Sequence, residues 1–366
     1  MTPMRIFVNA GVYPSYFRHF NASFGGRDGF EGRRAAYLSD RFGSSHFLKP
    51  VLDREHWATF TIGNDPILQQ LWHREHTGAK SQDLARVPLN QIEEHRTEVF
   101  YNLDPLSFGS AFVRKLPGCV KHTLCWRAAP SPGADFIEYD RVICNFPSIL
   151  KRWESLGCKT ALFYPAHDPE MDAYASNSDR PIDICFVGGF SRHHSRRTVI
   201  LDAVAALQDR FDVRYFLDIS RVTKVAEFIP GPLWPMNRYR RTAAIRAVCR
   251  EPIFGRTYYQ MLGRTKIVLN GAIDMAHAER GNLRCFEAMG CGCLLVSDEG
   301  SYPKGMVNER TMRTYSSLSE LLDIVERSLA HWDQSTKIAA NGHAMVRKTY
   351  NKDDQWQDFL RIVQEV

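Results

Sequence analysis

The segment from Arg141 to Tyr164 constrains the fold more than any other. An apolar run, Val142-Ile143-Cys144, leads to Pro147, an amphipathic stretch to Ser155, then Gly157 and a second run, Thr160–Tyr164. Proline suits the first position of a helix, where its missing N–H has no intrahelical acceptor, and glycine suits the residue that ends one. The spacing therefore predicts strand, helix, strand. A helical crossover joins parallel strands, and a parallel sheet is covered by helices on both faces. The fold class is α/β.

The same alternation runs through the rest of the chain. Arg5–Val8, Thr97–Tyr101 and Lys121–Trp126 read as further strands of the first half. In the second half Asp183–Val187, Val213–Leu217, Lys266–Asn270 and Cys293–Ser297 read as strands. Helices are expected at Thr198–Phe211, Asn282–Gly290, 318–331, 333–348 and Asp353–Val363. A length of 366 residues exceeds one ordinary domain. The polar run 166–181 is rich in Asp, Ser, Asn and Pro, and is the best linker. Two α/β domains are expected, at 1–172 and 173–345, with a last helix in 346–366.

Charge and cysteines narrow the function classes. The net charge of +6 is mild and suits anionic small molecules or an anionic surface better than nucleic acid. Arginines at 238, 240, 241, 246 and 250 read first as a solvated helix face, with anionic lipid or glycan as the second reading. Nine scattered cysteines, with no C-x-x-C pair, point to a reducing compartment. The chain enters an apolar strand at Ile6 without a leader-like stretch, and no run approaches the length that crosses a bilayer. The expectation is a cytoplasmic protein, with peripheral attachment at the inner face of a membrane left open.

In parallel sheets ligands bind outside the carboxyl ends of strands, so the loops there carry the candidate sites. After Phe186-Val187 come Gly188 and Gly189, then Arg192, Arg196 and Arg197. Glycines admit a close backbone approach, and arginines near a helix N-terminus suit a diphosphate; a solvated basic loop is the plainer reading. The second candidate runs from Glu279 to Asp298. Gly281 and Asn282 are placed to cap a helix beginning at Leu283, exposing N–H groups to an anion. Glu287, one turn in, is positioned to accept hydrogen bonds from vicinal ribose hydroxyls. The third is the loop holding Gly11 and Tyr13, with Trp126 at another strand end able to stack on a sugar. No metal site is expected: His73-x-x-His76 and His193-His194 lack zinc spacing and nearby thiolates, and no Asp-x-Asp follows a strand.

Glu279 and Glu287 flank seven residues, which resembles the nucleotide-sugar signature of retaining GT-B glycosyltransferases. Arg284-Cys-Phe-Glu287-Ala-Met-Gly-Cys-Gly is similar to a block of the spore-protein-type (CgeB-like) branch. Tyr164-Pro165-Ala166-His167-Asp168-Pro169, Phe186-Val187-Gly188 and Gly255–Asn270 also resemble that family, so the likeness spans roughly 140–345. It implies two Rossmann-like domains facing across a cleft, with 346–366 forming a helix that packs back on the first, and a metal-independent glycosyl transfer with retention. No cofactor is implied; the donor would be a nucleotide sugar, of UDP or GDP type, and the acceptor a glycan, a lipid-linked sugar or a protein. Glu287 would hold the ribose, and Gly188, Gly189, Gly281, Asn282 and Leu283 would line the donor. Arg192 and Arg197 would sit by the diphosphate. Glu279, Arg284 and Arg196 would act on the reacting centre, and Gly11, Tyr13 and Trp126 would lie on the acceptor side. The same fold also serves nucleotide-sugar epimerases and non-catalytic nucleotide-sugar binders, which stay open at this point.

Overall fold

The computed structural model describes residues 3–25, 29–190, 195–229, 239–271 and 276–366, with the backbone alone for Ser195 and Arg196. It divides into two compact units. The first comprises 1–166 and 350–366, the second 167–349.

The first unit holds β1 (Ile6–Ala10), β2 (Ala58–Ile62), β3 (Val99–Asn102), β4 (His122–Trp126), β5 (Arg141–Cys144) and β6 (Thr160–Leu162). They form one parallel sheet in the order β2-β1-β3-β4-β5-β6. The predicted crossover is present: Pro147–Ser155 is a helix with Pro147 in its first turn, joining β5 to β6. Strand β2 was not expected, although Ala58-Thr-Phe-Thr-Ile alternates with the period of a strand. The final helix, Lys352–Gln364, belongs to this unit. Its Phe359, Ile362 and Val363 are buried, and the Phe359 ring lies 5.1 Å from that of Tyr101. Each such side chain contributes about 1.5–3 kcal/mol of burial. The Lys352 ammonium is buried and donates to the carbonyls of Ser44, Ser45 and Phe47 at 2.7–3.1 Å.

The second unit holds β7 (Ile182–Phe190), β8 (Val213–Ile219), β9 (Cys249–Arg250), β10 (Thr265–Leu269), β11 (Leu294–Asp298) and β12 (Arg313–Tyr315). The order is β12-β11-β10-β7-β8-β9, again all parallel. The core is built from the inward residues of these strands, including Ile184, Phe186, Tyr215, Leu269 and Val296. In both sheets the chain leaves one strand in opposite directions, at β1/β3 and at β7/β10. At such switch points flanking loops diverge and leave a crevice.

Two expectations change. The run 166–181 is not an unpacked linker: Ala166, His167, Asp168, Met171 and Arg180 are buried, and Met171–Ala175 is helical. Polar residues are buried there because they are hydrogen-bonded. Arg180 donates to the carbonyls of Leu262, Thr265 and Cys291 at 2.8–3.1 Å. Nor does β7 end at Val187. It continues through Gly188 and Gly189, which pair with Leu217 and Asp218 of β8.

Candidate functional site

Two arginines bridge the switch point of the second unit. Arg284, in the first turn of the helix Leu283–Gly290, donates through Nε to the Val187 carbonyl at 2.8 Å and through Nη1 to Asn270 Oδ1 at 2.7 Å. It thus ties the end of β7 to the end of β10. Its guanidinium also lies 4.5 Å over the Phe186 ring, a cation–π contact. Arg197 makes a parallel tie, donating to the carbonyls of Gly189 at 3.4 Å and Gly271 at 3.2 Å. The first of the paired glycines is explained by this arrangement. A Cβ on Gly188 would come within 2.5 Å of Arg284 Nη2, so the residue keeps room for the guanidinium and does not form a turn.

Gly281 has φ +110°, a conformation that glycine adopts without strain, and it turns the chain into the helix. Asn282 is the N-cap, as expected, but its side chain makes no capping bond; it donates to Asn270 Oδ1 at 3.0 Å. The first-turn N–H groups therefore carry no side-chain cap from Asn282. Leu283 is half-buried at the helix start. One turn on, Glu287 is 8% exposed. Burial pushes its carboxyl up to about 8, against the opposing pull of Arg284 and a hydrogen bond from Tyr258. Glu279 is half-buried, and its backbone bridges to Ser301. Arg192 lies outside the described residues, as do the side chain of Arg196, His193 and His194.

A cavity of about 370 Å³ opens at the carboxyl ends of β10, β11 and β12, lined by Arg197, Gly271, Arg280, Asp298, Tyr315 and Ser317. An Arg280–Asp298 ion pair at 2.8 Å forms part of its wall. Ser317 caps the helix Leu318–Ala330. Glu287 does not line this cavity; its helix packs instead with Trp332–Thr349 and Met171–Ala175. Among the described residues no group of three or more His, Cys, Asp or Glu is arranged to hold a metal ion.

In the first unit, Asn9 and Asn102 join β1 to β3 through a 2.8 Å side-chain bond. The loop after β1 is clamped by Asn64, which bonds both the N–H and the carbonyl of Val12. A Cβ on Gly11 would meet the Asp104 carboxylate at 2.5 Å, so the glycine makes room for that side chain. Tyr13 is exposed, and Trp126 is half-buried with its ring 4.5 Å from that of His46. One charged residue at this edge, Asp104, was missed by sequence reasoning; Arg127 belongs to the strand end Cys125-Trp126-Arg127, a candidate for the acceptor side. Asp104 follows β3, its carboxyl raised by burial, and Arg127 follows β4, its charge disfavoured by burial but supported by Tyr13 and Asp104. The only signal for Asp104 was position, directly after a strand.

Three comparisons bear on this geometry. Residues 200–361 match the family model described as glycosyl transferase-like, which is less than half of the chain. No curated protein matches significantly. Among solved structures, HepE of Anabaena in complex with UDP and glucose aligns over 100% of both chains at 13% identity, with a TM-score of 0.60. The same protein in complex with UDP-glucose gives 0.59 over the same coverage, also at 13% identity. A glycosyltransferase from Rickettsia africae aligns over 100% of this chain and 99% of its own at 12% identity, with a TM-score of 0.52. These likenesses establish the fold: two parallel six-stranded α/β units of the GT-B glycosyltransferase type.

Proposed function

We propose that the chain is a glycosyltransferase whose second unit holds a nucleotide-sugar donor. The carrying observation is the corner at Gly281–Glu287. A helix starts at the switch point with its first N–H groups uncapped by the Asn282 side chain, Arg284 is locked across β7 and β10, and a buried carboxyl follows one turn later. Helix N-termini and fixed guanidinium groups favour anions such as a diphosphate. The family-model match over 200–361 and the fold shared with HepE, crystallised with UDP-glucose, support the same reading.

In this reading Glu287 accepts hydrogen bonds from the ribose hydroxyls, and Gly188, Gly189, Gly281, Asn282 and Leu283 line the donor. Arg192, Arg196 and Arg197 are assigned to the diphosphate. Glu279 faces the donor sugar, with Arg284 supporting the charge of the leaving group through its fixed position. The anomeric carbon–oxygen bond to the diphosphate breaks with its electron pair going to the diphosphate, an acceptor oxygen bonds to the same face of that carbon, and the acceptor proton passes to the departing diphosphate oxygen. Stabilising the departing diphosphate by preorganised dipoles and cations lowers the barrier without a strong base. The acceptor, a glycan, lipid-linked sugar or protein, is assigned to the carboxyl edge of the first unit, near Tyr13 and Trp126. No bound metal is required, and the resemblance to the spore-protein-type branch belongs to this proposal.

The test is thermal stabilisation by UDP, GDP, CDP and ADP, with and without EDTA, followed by release of nucleoside diphosphate from the matching sugar donor. A selective, EDTA-resistant shift, lost in Glu287→Ala, is expected. Diphosphate release only with an acceptor present separates transfer from epimerisation, and stabilisation without any turnover marks a binding protein. A folded Glu287→Ala variant that binds as wild type refutes the ribose assignment.

A further inference from the structure

The helix Arg221–Phe228, which follows β8, is amphipathic in an inverted sense. Its Thr223 and Ala226 are buried, whereas Val222, Val225 and Phe228 are 46%, 52% and 89% exposed. Three-residue spacing places these side chains along one face. An apolar stripe ending in a nearly bare phenylalanine is costly in water and is the mark of a surface that meets something apolar.

The surroundings define what that is. Arg221 and Lys224 are exposed on the same helix. Arg241 pairs with Glu227 at 2.6 Å, which brings the next segment against the helix, and there Arg246 and Arg250 are exposed. Arg250 sits on β9, the edge strand beside β8. Among described residues between 218 and 251, Arg and Lys outnumber Asp and Glu by six to three, while the whole chain carries 47 against 41. Half of the chain's excess positive charge is therefore gathered at one edge of the second unit. No helix among the described residues is long and apolar enough to cross a membrane.

We propose that this edge docks on an anionic lipid surface, with Val222, Val225 and Phe228 entering the interfacial layer and Arg221, Lys224, Arg246 and Arg250 meeting the headgroups. Apolar side chains flanked by cations are the combination that interfacial helices use, and each cation adds to the attraction. A second copy of the chain fits poorly, because the same cations would face one another. None of the residues assigned to the lipid belongs to the Gly281–Glu287 corner, so its test is independent of the nucleotide reading.

Flotation with vesicles of phosphatidylcholine alone and of equimolar phosphatidylcholine and phosphatidylglycerol tests the proposal. Binding is expected to the anionic vesicles only, and to weaken with salt. Lys224→Gln is expected to lower it about fivefold. Val225→Ser with Phe228→Ser should abolish it without lowering the melting temperature, and Leu106→Ser, an exposed apolar residue of the first unit, should leave it unchanged. Failure of the wild type to float overturns the proposal, as does equal binding by the Val225/Phe228 variant. So does a dimer, seen by light scattering, that this variant dissolves.

Discussion

Replacing Glu287 with Gln keeps the shape of the side chain and removes its titration. With the carboxyl raised from 4.5 to about 8 in the folded protein, the unfolded chain gives up its proton first as pH rises. The folded state then binds more protons than the unfolded one, so wild-type stability falls between pH 4.5 and 8. Worked through the linkage relation, the cost is about 3 kcal/mol at pH 7 and about 4–5 kcal/mol above pH 8, relative to acid conditions. Glu287→Gln escapes it. The variant should match the wild type near pH 4.5 and melt higher as pH rises, by roughly 6–12 °C at neutral pH for a unit of this size. Differential scanning fluorimetry of both proteins from pH 5 to 9 reads this directly. Parallel melting curves across that range would refute the reasoning, since they require an ionised Glu287 in the fold.

Three further outcomes follow from the same geometry. If bound ribose draws Glu287 into its ionised form, UDP affinity should rise by up to about tenfold per pH unit below pH 8 and then level off; titration calorimetry showing a flat profile removes that coupling. Gly188→Ala should push Arg284 off the Val187 carbonyl and cost about 1–3 kcal/mol in urea unfolding, while Gly189→Ala, with only a carbonyl at 4.0 Å, should cost less. Arg180→Ala strands three buried carbonyls, and a loss of about 3 kcal/mol or more is expected by the same assay; a loss below about 1 kcal/mol would show that water replaces the guanidinium.

The parallel architecture was legible because buried strands are short apolar runs, and Pro147 and Gly157 mark a crossover. The helix at Leu283 was legible for a related reason: Gly281 and the small residues at 288–293 leave few alternatives to a helix packed directly under a strand. What hydropathy does not encode is the internal satisfaction of polar groups. Arg180 sits in a run that reads as solvated, yet it is buried by three carbonyls. Gly188 reads as a loop glycine that admits a ligand, because a distant arginine that needs its missing Cβ leaves no local pattern. Asp104 and Arg127 are single charged residues, and only the assembled sheet edge brings them together. Strands β9 and β12, of two and three residues, are too short to show a period at all.

The chain leaves the first unit at Ala166 and returns to it only at Tyr350. During synthesis every residue of the second unit is made before the closing helix of the first. Until Lys352 arrives, the carbonyls of Ser44, Ser45 and Phe47 have no ammonium to meet, and the pocket for Phe359 beside Tyr101 stays unfilled. The unit begun first is thus the one completed last. A nascent chain released before residue 350 would hold every residue of the second unit and a first unit without its closing helix.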